Sequence, residues 1–258
     1  MISRIFEIYQ YRAMFWGLVT SDLRTRYKGS VLGFLWTFLN PLLMLVVYSL
    51  VFSTIMRVSM PHYPAFLFIG LLAWNLFATS VQSAVGVINR QGSLVKKIYF
   101  PREILPLAIV VSSAINYIFS LVILVPFLII SGLEPAWTWL FVPLILVVEC
   151  IAAAGFALLF SSINVYLRDV EHVLGIFLMA WFYVTPVVYS LKMIPQKYIE
   201  LFKMNPVADF VVSFQDALYY HQMLRWKLFL YGVIISFVVL YFGWKVFNRL
   251  SRRFAEEV

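Results

Sequence analysis

Glu149 is the one carboxylate inside the long apolar stretches of this chain. It sits beside Cys150 and ahead of the small residues Ala152, Ala153, Ala154, Gly155 and Ala157. A charge at that depth is costly unless it faces protein or water or takes up a proton, and a carboxylate there is the usual means of coupling to an ion. No partner charge accompanies it in the other apolar stretches, which favours a packing or gating role over ion coupling. The small residues that follow allow a second helix to approach closely. Enzymatic chemistry is poorly supplied. The dipeptide Gly-Lys does not occur, so there is no GxxxxGK[ST] phosphate loop and the chain is not itself a P-loop ATPase. There is no HExxH, and His62, His172 and His221 are far apart near the ends of apolar stretches, so no metal site is expected. An intramembrane serine protease needs a serine and a histidine at depth, and no GxSxG-like elbow or deep histidine occurs. No catalytic residue is expected.

Two other patterns carry binding chemistry. The segment from Asn89 to Glu103, NRQGSLVKKIYFPRE, predicts a helix of barely two turns that Ser93 can cap and Pro101 limits. Leu94 and Ile98 fall on one face with Lys96 and Lys97 off it, a shape suited to docking in a groove on a cytoplasmic partner. Ser93, Leu94, Lys97, Ile98, Tyr99 and Phe100 are the docking candidates, and the plainer alternative is an ordinary basic loop. The second pattern is aromatic. Phe34, Phe38, Pro41, Leu45, Tyr48 and Phe52 recur at steps of three and four, one face of a helix, and Phe177, Trp181, Tyr183 and Tyr189 add further rings. Such faces stack on sugar rings while Tyr and Trp supply hydrogen bonds, although helix packing and interfacial belts use the same residues.

The elements that must position these groups follow from composition. The chain is 63% hydrophobic and 12% charged, against about 25% charged for soluble domains, so it is expected to be an integral membrane protein. Cys150 alone gives no disulfide framework, and the N-terminus lacks the pattern of a cleavable signal peptide. The expected fold is all-α, with six transmembrane helices: Val31 to Met56, Ala65 to Ile88, Ile104 to Ser131, Ala136 to Ile163, Val173 to Ser190 and Leu228 to Trp244. Residues 1–30 read as a cytoplasmic segment with an amphipathic interfacial helix, the alternative being a partly ordered soluble tail. Residues 191–227 hold two short pieces, Pro195 to Met204 and Val207 to Tyr220, hinged at Asn205-Pro206. They are expected as re-entrant helices at the outer rim, with a plain extracellular loop as the alternative. Residues 245–258 form a cytoplasmic tail.

An even number of spans puts both termini on one side. That side collects Arg4, Arg12, Arg24, Arg26, Lys28, Arg90, Lys96, Lys97, Arg102, Arg168, Lys245, Arg249, Arg252 and Arg253. The other has Arg57, Lys192, Lys197, Lys203, Arg225 and Lys227. The positive-inside bias places both termini in the cytoplasm, and the net charge of +8 is explained by membrane flanks rather than by nucleic acid.

Four pieces, in order along nearly the whole chain, resemble one family. They are Asp22-Leu23-Arg24-Thr25-Arg26-Tyr27 with Gly29-Ser30-Val31-Leu32-Gly33, Trp36 and Pro41; Phe100-Pro101-Arg102-Glu103 with Pro106; Asn164-Val165-Tyr166-Leu167-Arg168-Asp169-Val170; and Thr185-Pro186-Val187-Val188-Tyr189 with Ile194-Pro195 and Asn205-Pro206. The chain resembles the membrane subunit of polysaccharide-exporting ABC transporters, permeases for lipid-linked O-antigen, capsular polymer or wall teichoic acid. The resemblance implies a homodimer in the bacterial cytoplasmic membrane, with two cytoplasmic ATP-binding subunits that hold ATP and Mg, and no cofactor on this chain. It implies that the first and fifth spans line the channel, making Phe34, Phe38, Tyr48, Phe52, Phe177, Trp181 and Tyr189 lining candidates. Arg24, Arg26 and Lys28 would receive a lipid diphosphate, which forked arginine donors suit. An ABC exporter of a drug or small lipid is the alternative.

Overall fold

The computed structural model describes residues 7–26, 29–51, 60–199, 202 and 204–257, with the side chains of Phe34 and Ala255 outside that description. Besides the single turns Val87–Arg90 and Phe254–Glu257, its helices are α1 (Arg12–Thr25), α2 (Trp36–Ser49), α3 (Tyr63–Val85), α4 (Gly92–Lys97), α5 (Ile104–Ile130), α6 (Val142–Asn164), α7 (Val170–Val184), α8 (Pro206–Leu218) and α9 (Trp226–Leu250). No strand occurs among the described residues. Four helices are long and apolar enough to cross a bilayer: α3, α5, α6 with the 3-10 turn Trp137–Phe141 before it, and α9 with its 3-10 extension to Arg253. α2 and α7 are apolar but shorter, at 14 and 15 residues.

Local chemistry sets the ends. Pro64 and Pro143 stand in the first turns of α3 and α6, where a missing N–H costs nothing. α5 ends in a Schellman turn: Gly132, at φ 87°, donates its N–H to Ile129, and Leu133 donates to Leu128. Only a residue without Cβ takes that backbone freely. The fifth span was expected to run to Ser190, but α7 stops at Val184. Pro186 holds Thr185 in extended backbone (φ −97°, ψ 134°), and the chain folds back. α9 runs six residues past the expected Trp244, carrying Lys245 and Arg249 on helix beyond the apolar stretch.

The closest packing in the bundle is α6 against α9. A Cβ on Gly155 would lie 2.6 Å from the Leu240 nitrogen, and one on Gly243 would collide with the Gly155 carbonyl. The small-residue run after Glu149 is therefore the seat of the last helix. α8 is a short helix packed inside the protein rather than exposed. Every residue from Val207 to Leu218 is buried, because the helix is tucked between α3, α6 and α9, and only the 3-10 turns Leu191–Met193 and Gln196–Tyr198 lie outside.

Long-range bonds sort the loops into two ends. At one, Tyr11 Oη donates to the Tyr99 carbonyl, Tyr166 Oη to Leu250, and the Arg102 guanidinium to Ser251. At the other, Tyr63 Oη donates to Val188, Thr138 Oγ1 to Ala217, and Tyr219 Oη to Pro61. Both described chain ends thus share one end of the bundle with the basic 89–103 loop.

Candidate functional site

α1 runs beside α5, with Val19 fully buried in the contact. It carries Arg26 to Ser113, which stands nine residues into α5, or about 13 Å along the axis at the usual rise. A guanidinium at that depth needs a counter-charge. Asp22, one turn back, supplies it: Arg26 Nε lies 2.9 Å from Asp22 Oδ2, Arg26 Nη2 donates to Ser113 Oγ at 3.1 Å, and Ser112 Oγ donates to the same carboxylate at 2.5 Å. Arg24 stays exposed near the end of α1, and Lys28 lies outside the described residues.

Arg26 opens into a cleft of about 650 Å³ between α2, α3 and α5. Its wall is mostly apolar, with Leu43, Met44, Val47 and Leu72, and carries Asn40, Asn75, Asn116 and Thr79 as polar groups. A smaller hollow of about 260 Å³ joins α2, α3 and α7 through Tyr48, Trp74, Phe182 and Tyr183, so α2 and α7 flank the same side of α3.

The aromatic candidates distribute unevenly. On α2, Pro41 and Leu45 are buried and Phe38 and Tyr48 half-buried, while the open face is aliphatic: Leu42, Leu43, Met44, Val46 and Val47. Phe38, Pro41, Leu45 and Tyr48, the described part of the stripe, thus follow the packed side of the helix. Phe34's side chain and all of Phe52 lie outside the description. On α7, Phe177 is exposed, along with Ile176, Met179 and Tyr183. Trp181 is half-buried, its ring edge-on to Phe77 and Phe156 with centroids 5.4 and 5.7 Å away. Its Nε1 donates to Asn205 Oδ1 at 2.9 Å. Tyr189 folds back to donate to the Tyr183 carbonyl at 2.7 Å.

Asn205 is a joint that sequence reasoning marked only as a hinge. Its carboxamide oxygen caps α8 by accepting from Val207 and Ala208, and its Nδ2 donates to Thr185 Oγ1 at 3.0 Å. Asn164 does the same at the opposite end: Nδ2 donates to the Val85 carbonyl, and Oδ1 accepts from the Glu171 amide. Two of the quoted motifs are thus inter-helix joints. Glu149 is fully buried, and neither carboxylate oxygen has a hydrogen-bond partner among the described residues. α8 adds two buried acids. Asp216 is ion-paired to Arg225 at 2.9 Å, and Asp209, pushed up to about 8 by burial, lies against Gly232 of α9.

In the 89–103 loop, α4 ends at Lys97 and Ile98 turns extended. Ser93, Lys97, Ile98 and Tyr99 are exposed, Leu94 is half-buried and Phe100 is buried. A groove of about 420 Å³ runs beside it between Tyr99, Arg102 and Glu103 and the Trp244, Asn248 and Arg252 end of α9.

The described residues form an all-helical bundle with four apolar helices of bilayer length and buried polar joints between helices. Residues 13–219 match the ABC-2 type transporter family, and the chain belongs to it: this is a multi-pass membrane protein, a transport permease subunit. Among named relatives, the chain is 34% identical over the full length of both proteins to the "O-antigen export system permease protein RfbA" of Myxococcus xanthus. It is 33% identical to a protein of the same name in Klebsiella pneumoniae, over 93% of this chain and 92% of that one. It is 24% identical to the "Polysialic acid transport protein KpsM" of Escherichia coli, over 78% and 79%.

Proposed function

We propose that this chain is the channel-forming permease subunit that exports a lipid-linked cell-surface polysaccharide across the cytoplasmic membrane, driven by ATP hydrolysis in a separate nucleotide-binding subunit. The observation that carries the reading is the end-to-end similarity to permeases named for O-antigen export. It favours an O-antigen type of polymer over the wall teichoic acid type. The geometry agrees in two respects. α2 and α7 present apolar open faces on the same side of α3, as two walls completed by a second copy of the chain would. The end of the bundle that carries both described chain ends is also the basic end, which fits a cytoplasmic position.

In this reading α2 and α7 are the first and fifth of six spans, and α1 lies at the cytoplasmic boundary. Arg24 meets the lipid diphosphate first because it is exposed, whereas Arg26 is already paired. ATP and Mg sit in the partner subunits, and closure of those subunits pushes the exposed ridge Ser93, Lys97, Ile98 and Tyr99. The push shears the two permease copies apart and opens the path. Phe177, with the open faces of α2 and α7, borders it.

The test is complementation of a deletion strain, read by surface polymer and by ATPase activity of the purified complex. Ile98→Asp is expected to abolish surface polymer while the ATPase stays active. Unchanged export with Ile98→Asp and Tyr99→Ala would refute the docking role, and unchanged surface polymer in the deletion strain would refute the function.

A further inference from the structure

We infer that two hollows meeting at Glu103 form one binding site for an aminophospholipid, its acyl chain in the apolar hollow and its ammonium and phosphate in the polar one. The polar hollow is the groove of about 420 Å³ beside the 89–103 loop. The apolar one, of about 570 Å³, lies between α1, α5, α6 and α9. Glu103 and Trp244 line both, so the hollows join at that pair. Glu103 identifies the charge of the occupant. It is only 3% exposed, yet its carboxylate has no hydrogen bond or ion pair among the described residues. Unlike the carboxylate of Glu149, it is not sealed in the interior but opens into the hollows. A buried carboxylate without a partner is costly, and a cation that donates hydrogen bonds to it removes that cost.

Each hollow selects one part of the lipid. Apart from Glu103, the apolar hollow is lined by aliphatic and aromatic side chains and Cys150, with Leu107, Val111, Val147 and Leu240 among them. Along α5 its lining runs from Glu103 to Ala114, about 16 Å at the usual rise, or half of a hydrocarbon core about 30 Å thick. That is the depth of one leaflet, the reach of one acyl chain. Glu103 immediately precedes α5, and Trp244 stands just ahead of Lys245, Arg249 and Arg252, so the junction lies at the headgroup layer. There Arg252 is exposed and makes no hydrogen bond or ion pair among the described residues. Arg102, over the Phe254 ring, gives one nitrogen to the Ser251 carbonyl and keeps other donors. The groove thus sets guanidinium groups, suited to a phosphate, beside a carboxylate suited to an ammonium. An anionic headgroup without an ammonium would face Glu103 and leave it unpaired. A choline headgroup brings a cation but no N–H to donate. A lysine or arginine of a docked protein would pair with Glu103 but leave the apolar hollow unfilled. Binding here is independent of what the protein exports.

The experiment titrates the full-length chain, purified in detergent, with phosphatidylethanolamine, phosphatidylglycerol and phosphatidylcholine of identical acyl chains. Bound lipids are counted by native mass spectrometry. One ethanolamine lipid per chain is expected to bind at least about tenfold more tightly than either of the others. Glu103→Gln, nearly isosteric, should weaken that lipid about tenfold and abolish its preference over the glycerol lipid. Arg252→Gln, at an exposed position, keeps the test decisive should Glu103→Gln not fold, and it should weaken the ethanolamine and glycerol lipids about equally. Ala114→Phe, which fills the apolar hollow without touching a charge, should weaken all three. An ethanolamine lipid with a diazirine on its acyl chain should label the α5 and α6 peptides that line the hollow. Equal affinities in the native chain, or a preference unchanged by Glu103→Gln, would overturn the inference in favour of ordinary annular lipid. Tighter binding of the glycerol lipid would overturn it in favour of an anion site. Release of the bound lipid when the ATP-binding subunit is added would overturn it in favour of a protein-docking groove.

Discussion

Single side chains hold the joints of this bundle. Asn205 caps α8, receives Trp181 and reaches Thr185. Asn205→Ala is expected to cost about 1–2 kcal/mol, read as a lower melting temperature of the detergent-solubilised chain, with Asn205→Asp keeping the cap but losing the bond to Thr185. Asp22 and Arg26 are expected to behave as a pair. Asp22→Ala strands a half-buried guanidinium and should destabilise more than Asp22→Ala with Arg26→Leu together, a sign that a double-mutant cycle reads directly. Asp209 makes stability depend on pH. Its unfolded carboxyl titrates near 4, and burial pushes the folded one up to about 8. The folded chain therefore holds that proton more tightly. The stabilisation is complete below about pH 4 and is lost as pH rises through about 8. Melts across that upper window should fall for the native chain and stay flatter for Asp209→Asn. The Asn-Pro step at 205 was legible as a hinge because cap and proline are local signals. The bonds to Trp181 and Thr185 were not, since they depend on helices meeting across 20 or more residues.

Among elements, the α6–α9 contact was half legible. The run Ala152 to Ala157 announced a close neighbour, but nothing in it says which helix arrives. Gly155→Val places side-chain carbons against the backbone of Leu240 and should destabilise by about 1–3 kcal/mol. Gly17→Ala on α1, with nothing within 4 Å, should raise the melting temperature slightly, since alanine is the better helix former. The four bilayer-length helices were read from apolar length alone, to within a few residues except at the C-terminal end of α9. α7 was overrun because Thr185-Pro186 sits in an apolar stretch whose hydropathy does not change at the turn. The burial of α8 was missed for the opposite reason. Asp209, Gln215 and Asp216 give it the polarity of a surface helix, yet it is buried throughout, with Arg225 and the Pro186 carbonyl meeting two of the three. The rings of α2 show the limit of periodicity. A stripe at three- and four-residue steps marks one face, but in a helix apolar all round the spacing does not say whether that face meets its own bundle or the outside.

At the scale of the molecule, two flanks differ in character. One shows the aliphatic side of α2 and the exposed rings of α7, and the other end-face shows the basic loop and its groove. On the proposed two-copy reading, the native chain is expected to run as a dimer and Val46→Asp or Met179→Asp as a monodisperse monomer, checked by light scattering in detergent. The clasp around Tyr99 and Arg102 has a consequence for biosynthesis. The loop is held by Tyr11 from the first helix and by the Ser251 carbonyl from the tail, the latter 149 residues further on. The chain leaves the ribosome N-terminus first. Tyr11 can therefore reach its partner early, whereas Arg102 waits until the chain has been made as far as Ser251. A chain cut before Ser251 lacks the second brace, so the loop acquires its finished shape only after α9 has been made.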